Sequence, residues 1–208
     1  MIYAGIGARA TPQEALARME RIGERLAREG WLLRSGAATG ADSAFERGAD
    51  CAGGRKEIFI PWNGFERRRK NDHGIILAPA LRKAPEAMAM AERFHPNWAG
   101  LSHGARLLQT RTVHQILGAG LDRPVDLVIC WTEQGMIRGG TGQALRVAKA
   151  VNVPVLNLGT RRLRDMDAES LVHMILRPAA RRQDPDSPLA SLCSTIDGSD
   201  DPSPCVQA

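Results

Sequence analysis

The fold is decided by the stretch IYAGIGARAT, which runs from Ile2 to Thr11. An apolar run ends there in glycines and leads into a helical pattern over residues 12–29, as in the first strand and helix of an open parallel sheet. Thr11, Pro12 and Glu14 have the spacing of a capping box. We therefore expect Thr11 to cap the first helix and Pro12 to take its first position.

The same alternation of strands and helices continues along the chain. Apolar runs predict strands at residues 31–34, 57–60, 125–131 and 155–158, and helical patterns occupy residues 42–52, 98–117, 142–151 and 168–176, the last capped by Asp167. This order predicts an α/β fold, a Rossmann-like three-layer sandwich with a mostly parallel central sheet. We interpret residues 1–177 as one domain with a polar, basic insertion at 61–97, and residues 178–208 as a disordered tail.

Composition and charge limit the classes of partner. The chain has 208 residues, 43% of them hydrophobic, and a formal net charge of +5, which favours anionic partners without establishing nucleic-acid binding. The cysteines Cys51, Cys130, Cys193 and Cys205 form no C-x-x-C pair, so a reducing, cytoplasmic location is expected. The histidines lack metal-ligand spacing, and no stretch is apolar enough to span a bilayer, so neither a metal nor a membrane partner is predicted.

Glycine-rich loops follow three of the predicted strands. The first loop matches G-x-G-x-x-A between Gly5 and Ala10, where glycines allow close approach to a phosphate and the helix amino end faces an anion. A structural turn without a ligand explains this loop equally well, because Arg34-Ser35-Gly36 stands where a ribose-binding acidic residue belongs.

The second and third loops, residues 35–42 and 138–142, repeat this arrangement with further small residues and hydroxyl groups. We expect Asp42 mainly to cap the second helix. The alternative is that it accepts a hydrogen bond from a sugar hydroxyl. In an open parallel sheet, ligands bind where the strand order reverses, which predicts that residues 7–9 face residues 132–141. Arg111 is expected to clamp a phosphate in that crevice or to form a surface salt bridge. The residues predicted to contact the ligand are Gly7, Ala8, Arg9, Ser35, Gly36, Ala37, Thr39, Gly40, Asp42, Arg111, Thr132, Gly139, Gly140 and Thr141.

Over residues 2–158 these motifs resemble the Rossmann-like domain of DNA-processing protein A (DprA) and the wider superfamily that contains the LOG nucleotide hydrolases. Gly7-Ala8-Arg9 resembles the family's G-S-R turn, and Arg111-Thr112 resembles its R-N pair. Residues 35–42 resemble its S-G-x-A-x-G-I-D loop, and residues 139–142 resemble the G-G-x-G of the LOG signature. Gln143 replaces that signature's threonine, and Arg146 replaces its catalytic glutamate.

The resemblance implies a phosphate site for a nucleotide or a single-stranded nucleic acid, without a cofactor. The basic residues 67–70 and the aromatic Trp62 and Phe65 favour DNA, although a basic run also suits a solvated face. The alternative is an enzyme that cleaves the N-glycosidic bond of a nucleoside monophosphate, with Glu133 or Asp42 stabilising the ribosyl cation. A third possibility, suggested by the G-x-G-x-x-A match, is a nicotinamide-dependent oxidoreductase. That function would leave the second and third glycine loops without a role. The helix at residues 98–117 could support a homo-oligomer, but core packing accounts for its apolar residues equally well.

Overall fold

The computed structural model describes residues 1–177 of the chain. The strands are β1 (Ile2–Gly7), β2 (Leu32–Ser35), β3 (Lys56–Ile60), β4 (Ile75–Leu77), β5 (Leu127–Trp131) and β6 (Val155–Asn157). They form a six-stranded sheet in the order β4-β3-β2-β1-β5-β6, and every neighbouring pair is parallel. Strand β1 is therefore central, and the strand order reverses between β1 and β5.

The helices cover both faces of this sheet. They are α1 (Gln13–Arg28), α2 (Ala41–Cys51), α3 (Ala84–Phe94), α4 (His103–Leu117), α5 (Gly139–Ala150) and α6 (Ala168–Leu176). One hydrophobic cluster joins α1, α2 and α6 to the face that carries Tyr3 and Leu33. The other cluster joins α3, α4 and α5 to the face that carries Ile2, Ala4 and Ile6. This arrangement confirms the predicted three-layer sandwich, with a sheet that is parallel throughout rather than mostly parallel.

Alternation of side chains along β1 explains why it occupies the centre. Ile2, Ala4 and Ile6 point to one face and Tyr3 to the other, and all four are buried, as expected for a strand covered on both sides. Close packing of α1 on α2 depends on Gly48, where a Cβ would lie 2.0 Å from the carbonyl oxygen of Glu20.

Several predicted boundaries differ from the structure. Helix α1 begins one residue later than expected, with Pro12 at the N-cap position and no side-chain cap. The Thr11 hydroxyl instead donates a hydrogen bond to the Ala8 carbonyl oxygen at 2.7 Å, so it closes the first loop. The predicted cap of α6 is confirmed, since Asp167 Oδ1 accepts from the Ser170 amide at 2.9 Å.

The predicted insertion at residues 61–97 contains β4 and α3. Strand β4 forms one edge of the sheet, and Ala87 and Ala91 of α3 are fully buried in the second cluster. This segment therefore supplies both an edge strand and a covering helix. None of the helices between residues 1 and 177 is long and apolar enough to cross a membrane. The predicted tail, residues 178–208, lies outside the described residues.

Candidate ligand-binding cleft

A cleft of about 400 Å³ opens beyond the carboxyl ends of β1 and β5, where the strand order reverses. Ligands of open parallel sheets bind at this position. The cleft is lined by residues of all three glycine loops, helix α4, helix α5 and the turn after β3. They are Ile6, Gly7, Ala8, Arg9, Ala38, Asp42, Phe65, Leu108, Gln109, Arg111, Thr112, Gln115, Arg138, Gly139, Gly140, Thr141 and Ala144.

Arg111 is the buried cation of this cleft. Only 7% of the residue is exposed, its Nη1 donates to the Gly36 carbonyl oxygen, and Nη1 lies 3.9 Å from Asp42 Oδ2. Its guanidinium carbon lies 5.6 Å from the centroid of the Phe65 ring. Burial lowers the pKa of Arg111 and the Asp42 carboxylate opposes that shift, but an arginine stays charged in either case. The expected surface salt bridge is therefore wrong, because the side chain is enclosed between α4 and the second loop.

Asp42 joins the first loop to the second. Its Oδ1 accepts a hydrogen bond from the Gly7 amide at 3.2 Å, and the residue is 3% exposed. Burial raises the pKa of Asp42 to about 6, although Arg111 and the amides of Ala38, Gly7 and Gly36 favour the ionised form. Helix α2 has Gly40 at its N-cap and no side-chain cap. The expected capping role of Asp42 is therefore wrong, because its carboxylate faces the neighbouring loop.

The third glycine loop forms the first turn of α5, which begins three residues earlier than predicted. Arg138 occupies the N-cap position and its side chain makes no capping hydrogen bond, so the N-cap residue does not satisfy the first amides of the helix. A Cβ added to Gly139 or Gly140 would meet nothing within 4 Å. This helix end therefore leaves room for an anion, which the helix dipole would stabilise.

Helix α4 carries buried polar atoms that have no hydrogen-bond partner within the described chain. Arg111 Nε, Gln115 Nε2 and Gln109 Oε1 belong to this group, and all three residues line the cleft. Buried polar atoms in folded proteins nearly always have partners, so these atoms point to a polar ligand. Sequence reasoning missed both glutamines. The spacing of residues 108, 111, 112 and 115 on one helical face was the signal that could have found Gln115.

Arg9 lies at the mouth of the cleft. Its side chain is 61% exposed, and its Nη2 bonds Glu66 Oε1 at 3.0 Å. Glu66 belongs to the short turn Phe65–Arg67 that follows β3, and Phe65 is buried there. The Arg9 charge is thus already engaged by an internal carboxylate.

Several predicted site residues do not line the cleft. The Ser35 hydroxyl donates to the Gly5 carbonyl oxygen at 2.6 Å, and Thr132 Oγ1 accepts from Asn157 Nδ2 at 2.7 Å. Both hydroxyls thus stabilise the sheet end. Thr39 and Glu133 are exposed outside the cleft.

The second loop acts through its backbone. Gly36 supplies the carbonyl oxygen that Arg111 binds, and Ala37 and Gly40 have positive φ angles of 61° and 91° that turn the loop toward α2. A Cβ on Gly40 would lie 2.6 Å from the Arg9 carbonyl oxygen, so glycine allows the first two loops to approach.

Gln143 and Arg146, which stand in place of the threonine and the catalytic glutamate of the LOG signature, face α3. Gln143 Nε2 donates to the Ala91 carbonyl oxygen at 2.7 Å, and Arg146 Nε donates to the Phe94 carbonyl oxygen at 2.7 Å. Arg146 Nη2 also bonds Gln143 Oε1 at 3.0 Å. Neither side chain lines the cleft. Within residues 1–177, no group of three or more His, Cys, Asp or Glu side chains is placed to hold a metal ion.

The fold defines a Rossmann-like α/β protein, with a cleft at the point of strand reversal. No family model and no curated protein matches the chain. It is similar to the solved structure of the Moco carrier protein of Chlamydomonas reinhardtii, with 16% identity, a TM-score of 0.47 and 77% of each chain covered.

Structures of DprA, the family that the sequence motifs resemble, are also similar. For Helicobacter pylori DprA, described as binding single-stranded DNA, the identity is 15%, the TM-score is 0.44, and 83% of this chain and 71% of that chain are covered. For Streptococcus pneumoniae DprA the identity is 16% and the TM-score is 0.45, and the match covers 83% of this chain and 55% of that chain. Because these identities and TM-scores are low, the similar structures do not indicate a function, and the residues of the cleft must do so.

Proposed function

We propose that this protein binds the phosphate group of a nucleotide or nucleic acid in the cleft between the first and third glycine loops. The observation that carries this proposal is Arg111, a buried cation whose Nε has no hydrogen-bond partner among residues 1–177, in a cleft that also contains the uncapped start of α5. A phosphate oxygen would accept from both the guanidinium and the first helical amides.

The charges and size of the cleft suit such a ligand. Arg9, Arg111 and Arg138 line it and outnumber the single lining carboxylate, Asp42. The pKa of Asp42 near 6 reduces the free-energy cost of neutralising that carboxylate when an anion binds. The volume of about 400 Å³ falls within the range of small-molecule sites.

The basic run at residues 67–70 gives weaker support to a DNA ligand. Arg68 bonds the buried carboxylate of Glu46 at 2.9 Å, so its charge is engaged within the fold. Phe65 is 4% exposed, which leaves Trp62 as the accessible aromatic residue of this segment. A single-stranded oligonucleotide is therefore one arm of the test and not the favoured ligand.

Calorimetric titration with AMP, inorganic phosphate and a short oligonucleotide tests the proposal. Arg111→Lys retains a charge but loses the planar guanidinium, and we expect its affinity for AMP to fall by about tenfold or more. Arg106→Lys is the matched control, because Arg106 lies on the same helix outside the cleft. The phosphate site would be refuted if none of the three ligands binds detectably at low salt. It would also be refuted if wild type and Arg111→Lys bind AMP with equal affinity.

Asp42 favours one second candidate, cleavage of the N-glycosidic bond of a nucleoside monophosphate. A buried carboxyl with a raised pKa inside a cleft is typical of functional sites. Incubation with a panel of nucleotides, followed by chromatography, would detect released base. Release of base by the wild type but not by Asp42→Asn would support this enzymatic activity. If the wild type releases no base from any nucleotide, the activity is excluded.

A further inference from the structure

We infer that Trp62 and Ile137, which lie just outside the cleft lining, bind the base of the ligand, so that the ligand carries a planar aromatic ring beyond its phosphate. This inference rests on the proposed phosphate site. The exposed large hydrophobic side chains between residues 1 and 177 are Met1, Trp62 and Ile137. The latter two lie in the loops that supply the lining residues Phe65 and Arg138.

Trp62 continues a line of contacting groups that begins at the buried cation. The guanidinium carbon of Arg111 is 5.6 Å from the Phe65 ring centroid, and the Phe65 centroid is 5.2 Å from that of Trp62, at an interplanar angle of 89°. Phe65 contacts Trp62 edge to face, and 40% of Trp62 remains exposed. An indole surface is thus available near the mouth of a cleft whose inner end is polar and basic.

Ile137 is the counterpart on the third loop. It is 36% exposed and directly precedes Arg138, the N-cap residue of α5. Its side chain belongs to neither hydrophobic cluster of residues 1–177. With Trp62 on the loop after β3, it provides apolar contacts on two of the loops that form the cleft.

These positions match the chemistry of a nucleotide. Its phosphate would bind Arg111 and the start of α5, and its base would lie outward, where stacking on an aromatic side chain is favourable for any base. A sugar phosphate has no planar aromatic ring to stack on Trp62. The limited volume of the cleft favours one nucleotide over a strand.

Calorimetric titration with AMP and ribose 5-phosphate separates the base from the phosphate. We expect wild type to bind AMP more tightly, and Trp62→Ala to weaken AMP binding by about 5- to 100-fold. Ribose 5-phosphate should bind both proteins equally, which also shows that the variant is folded. Trp62→Phe should retain most of the AMP affinity, since a phenyl ring still stacks, and Ile137→Ala should cause a smaller loss.

Equal affinities of wild type for AMP and ribose 5-phosphate would overturn the inference and leave the phosphate site intact. The same holds if Trp62→Ala weakens the binding of both ligands equally. If neither AMP nor ribose 5-phosphate binds, the proposed phosphate site fails together with the base contacts.

Discussion

Replacement of Asp42 by asparagine should make the stability of the protein less dependent on pH. Burial raises the pKa of Asp42 from 3.8 to about 6 in the folded protein. A shift of about 2 pKa units corresponds to about 3 kcal/mol of preference for the protonated carboxyl on folding. Because the pKa is raised on folding, the contribution of protonated Asp42 to the free energy of unfolding is fully present below about pH 4. This contribution is lost as the pH rises through about 6.

The assay is urea unfolding of wild type and Asp42→Asn at about pH 4 and about pH 8. The free energy of unfolding of the variant, relative to wild type, should rise by about 3 kcal/mol between the two pH values, because an amide does not ionise. The difference between pH values removes any constant effect of the substitution on hydrogen bonding. Asp165→Asn, at an exposed position, is the control for general effects. A relative stability that is constant, or that falls with pH, would refute the reasoning about burial.

Three further outcomes follow from the geometry. Gly40→Ala should destabilise the fold by about 2 kcal/mol more than Gly53→Ala in urea unfolding. Both glycines have positive φ, but only at Gly40 does the added Cβ meet backbone oxygens. Glu66→Gln should raise the affinity for inorganic phosphate about threefold in calorimetry, because it frees Arg9 from its ion pair. Arg146→Glu should release no more base from a nucleotide panel than wild type does, as measured by chromatography, since this side chain faces α3.

The periodicity of the sequence was sufficient to predict most of the sheet. Long apolar runs such as β5 and capped helices such as α6 have strong local patterns, and both were predicted within two residues. Strand β4 has only three residues, and α3 buries small alanines, Ala87 and Ala91. These patterns are too weak to identify either element before the fold is known.

For the cleft, glycine spacing predicted which loops converge, but it did not predict where side chains point. Ser35 is the last residue of β2, and its hydroxyl bonds the backbone of β1 instead of a ligand. Helix α5 begins at Gly139 although glycine has a poor helical propensity, so residue type alone placed its start three residues too late. Gln109 was missed because residue type does not distinguish a cleft-facing glutamine from a surface one, whereas for Gln115 the helical spacing from Arg111 was a signal that went unused.

The pairing of β1 with β5 affects how the chain can fold during synthesis. Gly7 pairs with Trp131, so one edge of the central strand has no native partner until more than half of the chain has been made. At ribosomal speeds of about 5–20 residues per second, that edge stays unpaired for about 6–25 s. An unpaired apolar strand edge is a template for aggregation. Nascent chains of this protein are therefore expected to depend on chaperones until β5 leaves the ribosome.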